Sequence, residues 1–329
     1  MIFLNRNEAP YDLPLEKKEK VAQLLIEQSW NRYPPMHCDP LKQALSRELS
    51  VEPERVLLGN GSAEVIQHLI NLYRSQCNRL VFPLPSFEFF EQCGDMFDME
   101  KVAWQNRPDM QYDYSNFPAR NGSIYILCHP NNPSGDLLDI EFLMTYIENE
   151  PESLFIIDEA YIEFCSASLV ALTDNHKNVV VTRTMSKAVG MAGVRLGYAI
   201  CHPETANRLE EKQIPYRLNH FAMLMGLFII EHCEQHVKDT VRSIISQRDS
   251  LFGALNKLFR GTSHKVHCSQ GNFLLLYLDM EDPVATLMEH GICVGRVKHH
   301  PGYCRVSVGT AAENRMLIEV LGLLSAKVA

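Results

Sequence analysis

In the stretch SKAVGMAGVR, Lys187 directly follows Ser186, and Arg195 comes eight positions later across residues that are small or apolar. A lysine partly withdrawn from water and set beside other cations has a lowered pKa, which suits it to Schiff-base chemistry. An arginine fork near a serine hydroxyl suits a phosphate. Three other clusters carry groups of the same kind. Asp158 closes the apolar run Leu154–Ile157, where a lone carboxylate is costly without a partner, and Tyr161 stands close behind it. It could hold a proton on the ring nitrogen of a cofactor, or cap a helix over EAYIEF. Glu159 would point to the opposite side if the strand alternation continues. In CHPNNPSG, Asn132 precedes Pro133 and is held extended, able to turn its amide toward a ligand oxygen. In GNGSAEVI, glycines permit a sharp turn and Ser62 can cap a helix starting at Ala63, whose free N–H groups form an anion site.

Each cluster alone is also an ordinary turn or cap, and the glycine spacing fits neither a mononucleotide nor a dinucleotide fingerprint. Together they supply a phosphate cradle, a carboxylate for a ring nitrogen, an Asn and a Tyr for a ring hydroxyl, and an amine for an aldehyde. Pyridoxal 5′-phosphate has all four handles.

Positioning these groups requires a shared edge. Four apolar runs, Val56–Leu58, Ile124–Leu127, Leu154–Ile157 and Val179–Val181, each lead into one polar cluster. Alternating with longer helical patterns, they indicate an α/β fold with a mostly parallel sheet, whose ligands lie beyond the carboxyl ends of the strands. After about residue 215 the pattern changes. One long helix is expected over Phe221–Ser250, then strands within 271–280 and 304–310 of a smaller layer; a helical pattern over 15–28 belongs to neither block. A chain of 329 residues exceeds the usual size of one hydrophobic core, so two domains are expected.

The net charge of −9 argues against nucleic acid or an anionic membrane as partner, since both need a basic face. Ten scattered cysteines without a CxxC suit buried thiols in a reducing cytoplasm, and the start shows no secretory pattern. His264, His267, Cys268 and the pair His299-His300 fit no closed zinc spacing, so no metal is expected.

In order along the chain, LNRNEAP, RYPP, GNGSAEVI, PLPSF, HPNNPSG, IIDEAYIEF, TRTMSKAVGMAGVRLGY, GNF and RVSVGT resemble the fold-type I, pyridoxal-phosphate-dependent aminotransferases of class I/II, and most of all the histidinol-phosphate aminotransferase family. The resemblance implies a large cofactor domain over 30–218 and a smaller α+β domain from 1–29 and 219–329. Lys187 would bind the cofactor aldehyde and carry the substrate proton, and Asp158 would pair with the pyridine nitrogen. Asn132 and Tyr161 would hold the ring hydroxyl, and Phe87 would stack on the ring. The N–H groups at Ser62, Ala63 and Glu64, with Ser186 and Arg195, would bind the phosphate, joined by Tyr33 from the neighbouring subunit of a homodimer. Arg305, an arginine inside the apolar strand Cys304–Val308, would grip the substrate carboxylate, with Asn132 and Tyr11 beside it.

The reaction implied is ping-pong transamination, as between histidinol phosphate and 2-oxoglutarate. A threonine-phosphate decarboxylase or an aromatic aminotransferase would share the scaffold. A non-catalytic binding module is disfavoured by the intact Lys187, Asp158 and Arg195. Two departures stand out: Ala63 replaces an acidic residue, and GICVGR places Gly295 where the family has an arginine thought to bind substrate phosphate, with Arg296 one position later.

Overall fold

The computed structural model describes residues 1–326. Twelve strands form among them: β1 (Ile2–Leu4), β2 (Val56–Gly59), β3 (Arg79–Leu84), β4 (Glu100–Gln105), β5 (Ser123–Cys128), β6 (Leu154–Asp158), β7 (Val179–Thr184), β8 (Gly197–Cys201), β9 (Lys265–His267), β10 (Phe273–Tyr277), β11 (Ile292–Arg296) and β12 (Tyr303–Ser307). The larger sheet runs β2-β8-β7-β6-β5-β3-β4, with β8 antiparallel to both its neighbours and every other pairing parallel. All residues of β5 and β6 are buried, which is why they are continuous apolar runs: helices cover both faces of a parallel sheet. Register aligns Cys128 with Asp158 and Asp158 with Thr182, so β5 and β6 end level at one edge and β7 runs two residues further, to Thr184.

The second sheet runs β1-β11-β12-β10-β9. Strand β1 is parallel to β11, while β12 pairs antiparallel with β11 and β10. The sheet thus joins the chain's start, at its edge, to the chain's last third. The segment just after β1 lies beside Arg305 on β12.

The single helix expected over Phe221–Ser250 is two, His220–His232 and Glu234–Leu258. Cys233 between them leaves helical geometry (φ −126°, ψ 10°), and its N–H donates to the Ile229 carbonyl and closes the first helix. An apolar pattern does not report one residue leaving the helix. The helix Leu15–Ile26 packs against His220–His232. All ten cysteines are free thiols and eight are buried, so the fold rests on packing and not on a disulfide framework. No helix among the described residues is long and apolar enough to cross a membrane.

Glu159, fully buried, turns to the side of the sheet edge away from Asp158 and accepts hydrogen bonds from Arg183 Nε at 2.9 Å and the Leu169 N–H at 2.5 Å. Arg183 Nη2 lies 2.8 Å from the same carboxylate. Removing one partner of a buried pair strands the other charge, so Glu159→Ala should cost about 3–5 kcal/mol in urea unfolding. A loss below about 1 kcal/mol would show that the pair does not brace this edge.

Candidate active site

The adjacent strand ends of β5, β6 and β7 form the floor of a cavity of ≈ 350 Å³. Asp158 lies at its base, 3 % exposed, accepting from Thr182 Oγ1 at 3.2 Å. Burial pushes its carboxyl up to about 6, and the Thr182 hydrogen bond opposes that shift. It caps no helix, since the 3-10 turn that follows begins only after Tyr161.

At one end, the helix Ser62–Tyr73 points its first turn into the cavity. Ser62 is not the cap expected of it: Gly61 occupies that position at φ 84° with no side-chain cap, and Ser62 is the first helical residue. The leading N–H groups therefore stay available for an anion, reinforced by the helix dipole. A Cβ on Gly61 would come within 2.7 Å of Arg195 Nη2, so the turn leaves that guanidinium its place. A Cβ on Gly197 would strike the Ser62 nitrogen at 2.1 Å. Arg195 Nη1 donates to Ser186 Oγ at 3.3 Å, and Ser186 contacts Thr184. Backbone donors, one hydroxyl and one guanidinium thus converge as a phosphate site requires.

At the other end stand Lys187 and Arg305. Lys187 Nζ donates to the Arg6 carbonyl at 2.7 Å and lies 5.9 Å from the centroid of the Tyr161 ring. Burial, and next the charge of Arg305, lower its pKa to about 8. Arg305 Nη1 donates to Asn132 Oδ1 at 2.6 Å and Nη2 to the Asn5 carbonyl at 2.6 Å, while its Nε is buried without a partner. Asn132 keeps its amide N–H groups free to donate. The Tyr161 oxygen accepts from Asn7 Nδ2 at 3.1 Å, which leaves its O–H free to donate as well. Phe87 borders the cavity, 42 % exposed. Pyridoxal 5′-phosphate fits this set: an uncapped glycine cradle with its arginine at one end, a buried carboxylate at the base, and two free donors with a perturbed amine at the other end.

The fold therefore gathers Ser62, Ala63, Phe87, Asn132, Asp158, Tyr161, Ser186, Lys187, Arg195 and Arg305 around one cavity. Glu64 has only its backbone N–H to offer the anion, since its carboxylate folds back onto the Asn60 N–H at 2.6 Å. Two expected residues lie outside the cavity of their own chain. Tyr11 lies off the cavity, its hydroxyl accepting from Ser243 Oγ at 3.3 Å. Tyr33 is 78 % exposed and stacks on Tyr216 at 4.5 Å, outside the cavity of its own chain. Residue reading missed the backbone of Asn5 and Arg6, and Asn7, Thr182 and Thr184. The motif LNRNEAP held the first three, but carbonyl roles leave no mark on side-chain type.

The family pattern for aminotransferase class I and II matches residues 1–321. The chain is similar to a histidinol-phosphate aminotransferase of Caldanaerobacter subterraneus subsp. tengcongensis, 31% identical over 97% of this chain and 91% of the relative. It is 32% identical to one of Thermococcus gammatolerans over the same shares. Among solved structures, the histidinol-phosphate aminotransferase of Sinorhizobium meliloti in complex with pyridoxal 5′-phosphate superposes with TM-score 0.88 at 21% identity, covering 100% of this chain and 92% of the other.

Two titrations test the electrostatics in the cofactor-free protein. Removing the Arg305 charge favours the lysine ammonium, so Arg305→Gln should raise the midpoint for acylation of Lys187 above about 8; an unmoved midpoint would separate the two cations. Asp158 titrates above its ordinary 3.8, so its stabilising contribution is lost as pH rises through about 6. At pH 8 the ionised form then costs on the order of 3 kcal/mol. Asp158→Asn should therefore melt above the parent at pH 8, with the gap closing below about pH 4; equal melting temperatures at pH 8 would contradict this.

Proposed function

Because the chain belongs to aminotransferase class I and II, we propose that it binds pyridoxal 5′-phosphate in the cavity above Asp158 and moves an amino group between an α-amino acid and an oxo acid in two half-reactions. The bound cofactor supplies an electrophilic aldehyde carbon and a ring that takes up the electron pair released at the substrate α-carbon. The observation that carries the reading is one lysine with a pKa lowered to about 8, facing a buried carboxylate and an uncapped helix start in one cavity.

Near pH 8 roughly half of the Lys187 amine is neutral, so it can act as nucleophile and then as carrier of the α-proton. Asp158, once ionised against a protonated ring nitrogen, recovers the cost of its burial. Tyr161 and Asn132 donate to the ring oxygen. Ser186, Arg195 and the first N–H groups of the helix Ser62–Tyr73 fix the phosphate. Arg305 receives the substrate's anionic group and orients the α-carbon toward Lys187, which sets the proton transfer geometry.

The relatives are named for histidinol phosphate, and that amine is the first substrate to test. The working unit we propose is a homodimer: Tyr33, Trp30 and Ile214 are 78%, 65% and 68% exposed, and an adjoining copy would receive Tyr33 at its phosphate site.

Purified protein loaded with the cofactor should show a visible absorbance band, which Lys187→Ala removes and which an amino donor bleaches. A band unaffected by Lys187→Ala would overturn the assignment of the lysine. Carbon dioxide release without bleaching would identify a decarboxylase.

A further inference from the structure

A second cavity of ≈ 310 Å³ adjoins the first and shares Asn5, Phe87, Asn132 and Arg305 with it. It is the space into which a side chain of a substrate held at Lys187 and Arg305 would extend. Its walls are largely apolar, from Phe82, Pro83, Pro85, Pro133 and Val297. Its charged lining decides what else it can take. Arg296 donates through Nη2 to both carboxylate oxygens of Asp282, at 3.0 and 2.8 Å, and is exposed. Lys298 Nζ donates to Glu91 at 2.6 Å. Glu88, exposed, adds a carboxylate with no ion-pair partner among the described residues. Arg305 is thus the one lining cation of this cavity not already neutralised by a carboxylate of the described residues.

Strand geometry explains why Arg296 does not assist. Gly295 is the direct partner of Arg305 across β11 and β12, and a Cβ on it would stand 3.0 Å from Arg305 Nη2. Position 295 therefore faces the substrate-holding guanidinium, and position 296, one residue on, faces away. The residue with the right direction has no side chain, and the arginine beside it has the wrong direction.

We infer that this chain is built for an α-amino acid with an uncharged, mainly apolar side chain, and not for a phosphorylated amine, with Gly295 as the specificity-determining position. One guanidinium matches one α-carboxylate. Histidinol phosphate has no carboxylate, so its phosphate dianion would take the carboxylate's place at Arg305, with no second free cation in this cavity to match its second charge and with the Glu88 carboxylate on the lining. Arg6, on the rim of the first cavity, contributes its carbonyl to Lys187 and exposes its side chain to solvent.

This inference rests on the aminotransferase reading, and one titration separates the two. Cofactor-loaded protein is titrated with phenylalanine, glutamate and histidinol phosphate while the visible band is followed, and binding of each to the Lys187→Ala protein is measured by calorimetry. Phenylalanine should act at a concentration at least roughly tenfold below histidinol phosphate. Gly295→Arg should reverse that order, whereas Gly295→Ala, which only crowds Arg305, should weaken all three alike. A Lys187-dependent band bleached at lower concentration by histidinol phosphate, or a Gly295→Arg protein with the order unchanged, overturns this inference alone. No Lys187-dependent band overturns both readings.

Discussion

A carboxylate at the end of the central strand of a parallel sheet is the constraint around which this site is organised. Asp158 has Thr182 as a hydroxyl donor and lies in sight of Lys187, and neither relieves its burial fully, so its carboxyl titrates near 6. A sheet buried on both faces offers no water to repay that cost, so the charge needs a cationic partner that the protein itself does not place against it. A protonated ring nitrogen meets that need. The adjacent acid shows the contrast: Glu159 is equally buried, but Arg183 satisfies it from within the chain and it has no opening to a ligand. Neighbouring carboxylates on opposite sides of one strand end thus divide into a structural and a chemical role.

The two sheets meet over this carboxylate through a short polar segment. Asn5 holds Arg305, the Arg6 carbonyl holds Lys187, and Asn7 holds both Tyr161 and Ser307, its N–H donating to Ser307 Oγ at 2.8 Å. Asn272 Nδ2 donates to the Asn7 carbonyl at 3.0 Å. Asn7 is fully buried at φ 52°, a conformation that asparagine tolerates and that these three bonds, with a fourth from Ser307 Oγ to Asn7 Oδ1 at 3.0 Å, hold in place. Three groups of the proposed chemistry, from distant parts of the sequence, therefore take their orientation from three consecutive residues.

Much of this is legible in the residues alone. The apolar runs ending in Asp158, Asn132 and Lys187 marked buried strands and their polar ends, because a two-sided sheet demands continuous hydrophobicity and loops must be polar. The chemistry of each cluster followed from residue type. What the pattern does not show is local geometry finer than itself: Gly61 and not Ser62 takes the cap position, and Cys233 divides an apparently single helix. Tyr11 was placed near the substrate, and packing carries it toward Ser243 instead.

By itself the sequence determined which functional groups exist, that they lie at strand ends, and that one lysine, one carboxylate and one phosphate-binding turn belong together. The tertiary structure alone decided direction. Arg296 and Gly295 differ by one position on a strand, and only the pairing of β11 with β12 shows that the glycine faces Arg305 while the arginine turns to Asp282. Residue type fixes what a side chain can bind, whereas the alternation of a paired strand fixes where it points, and register is a property of two segments far apart in the chain.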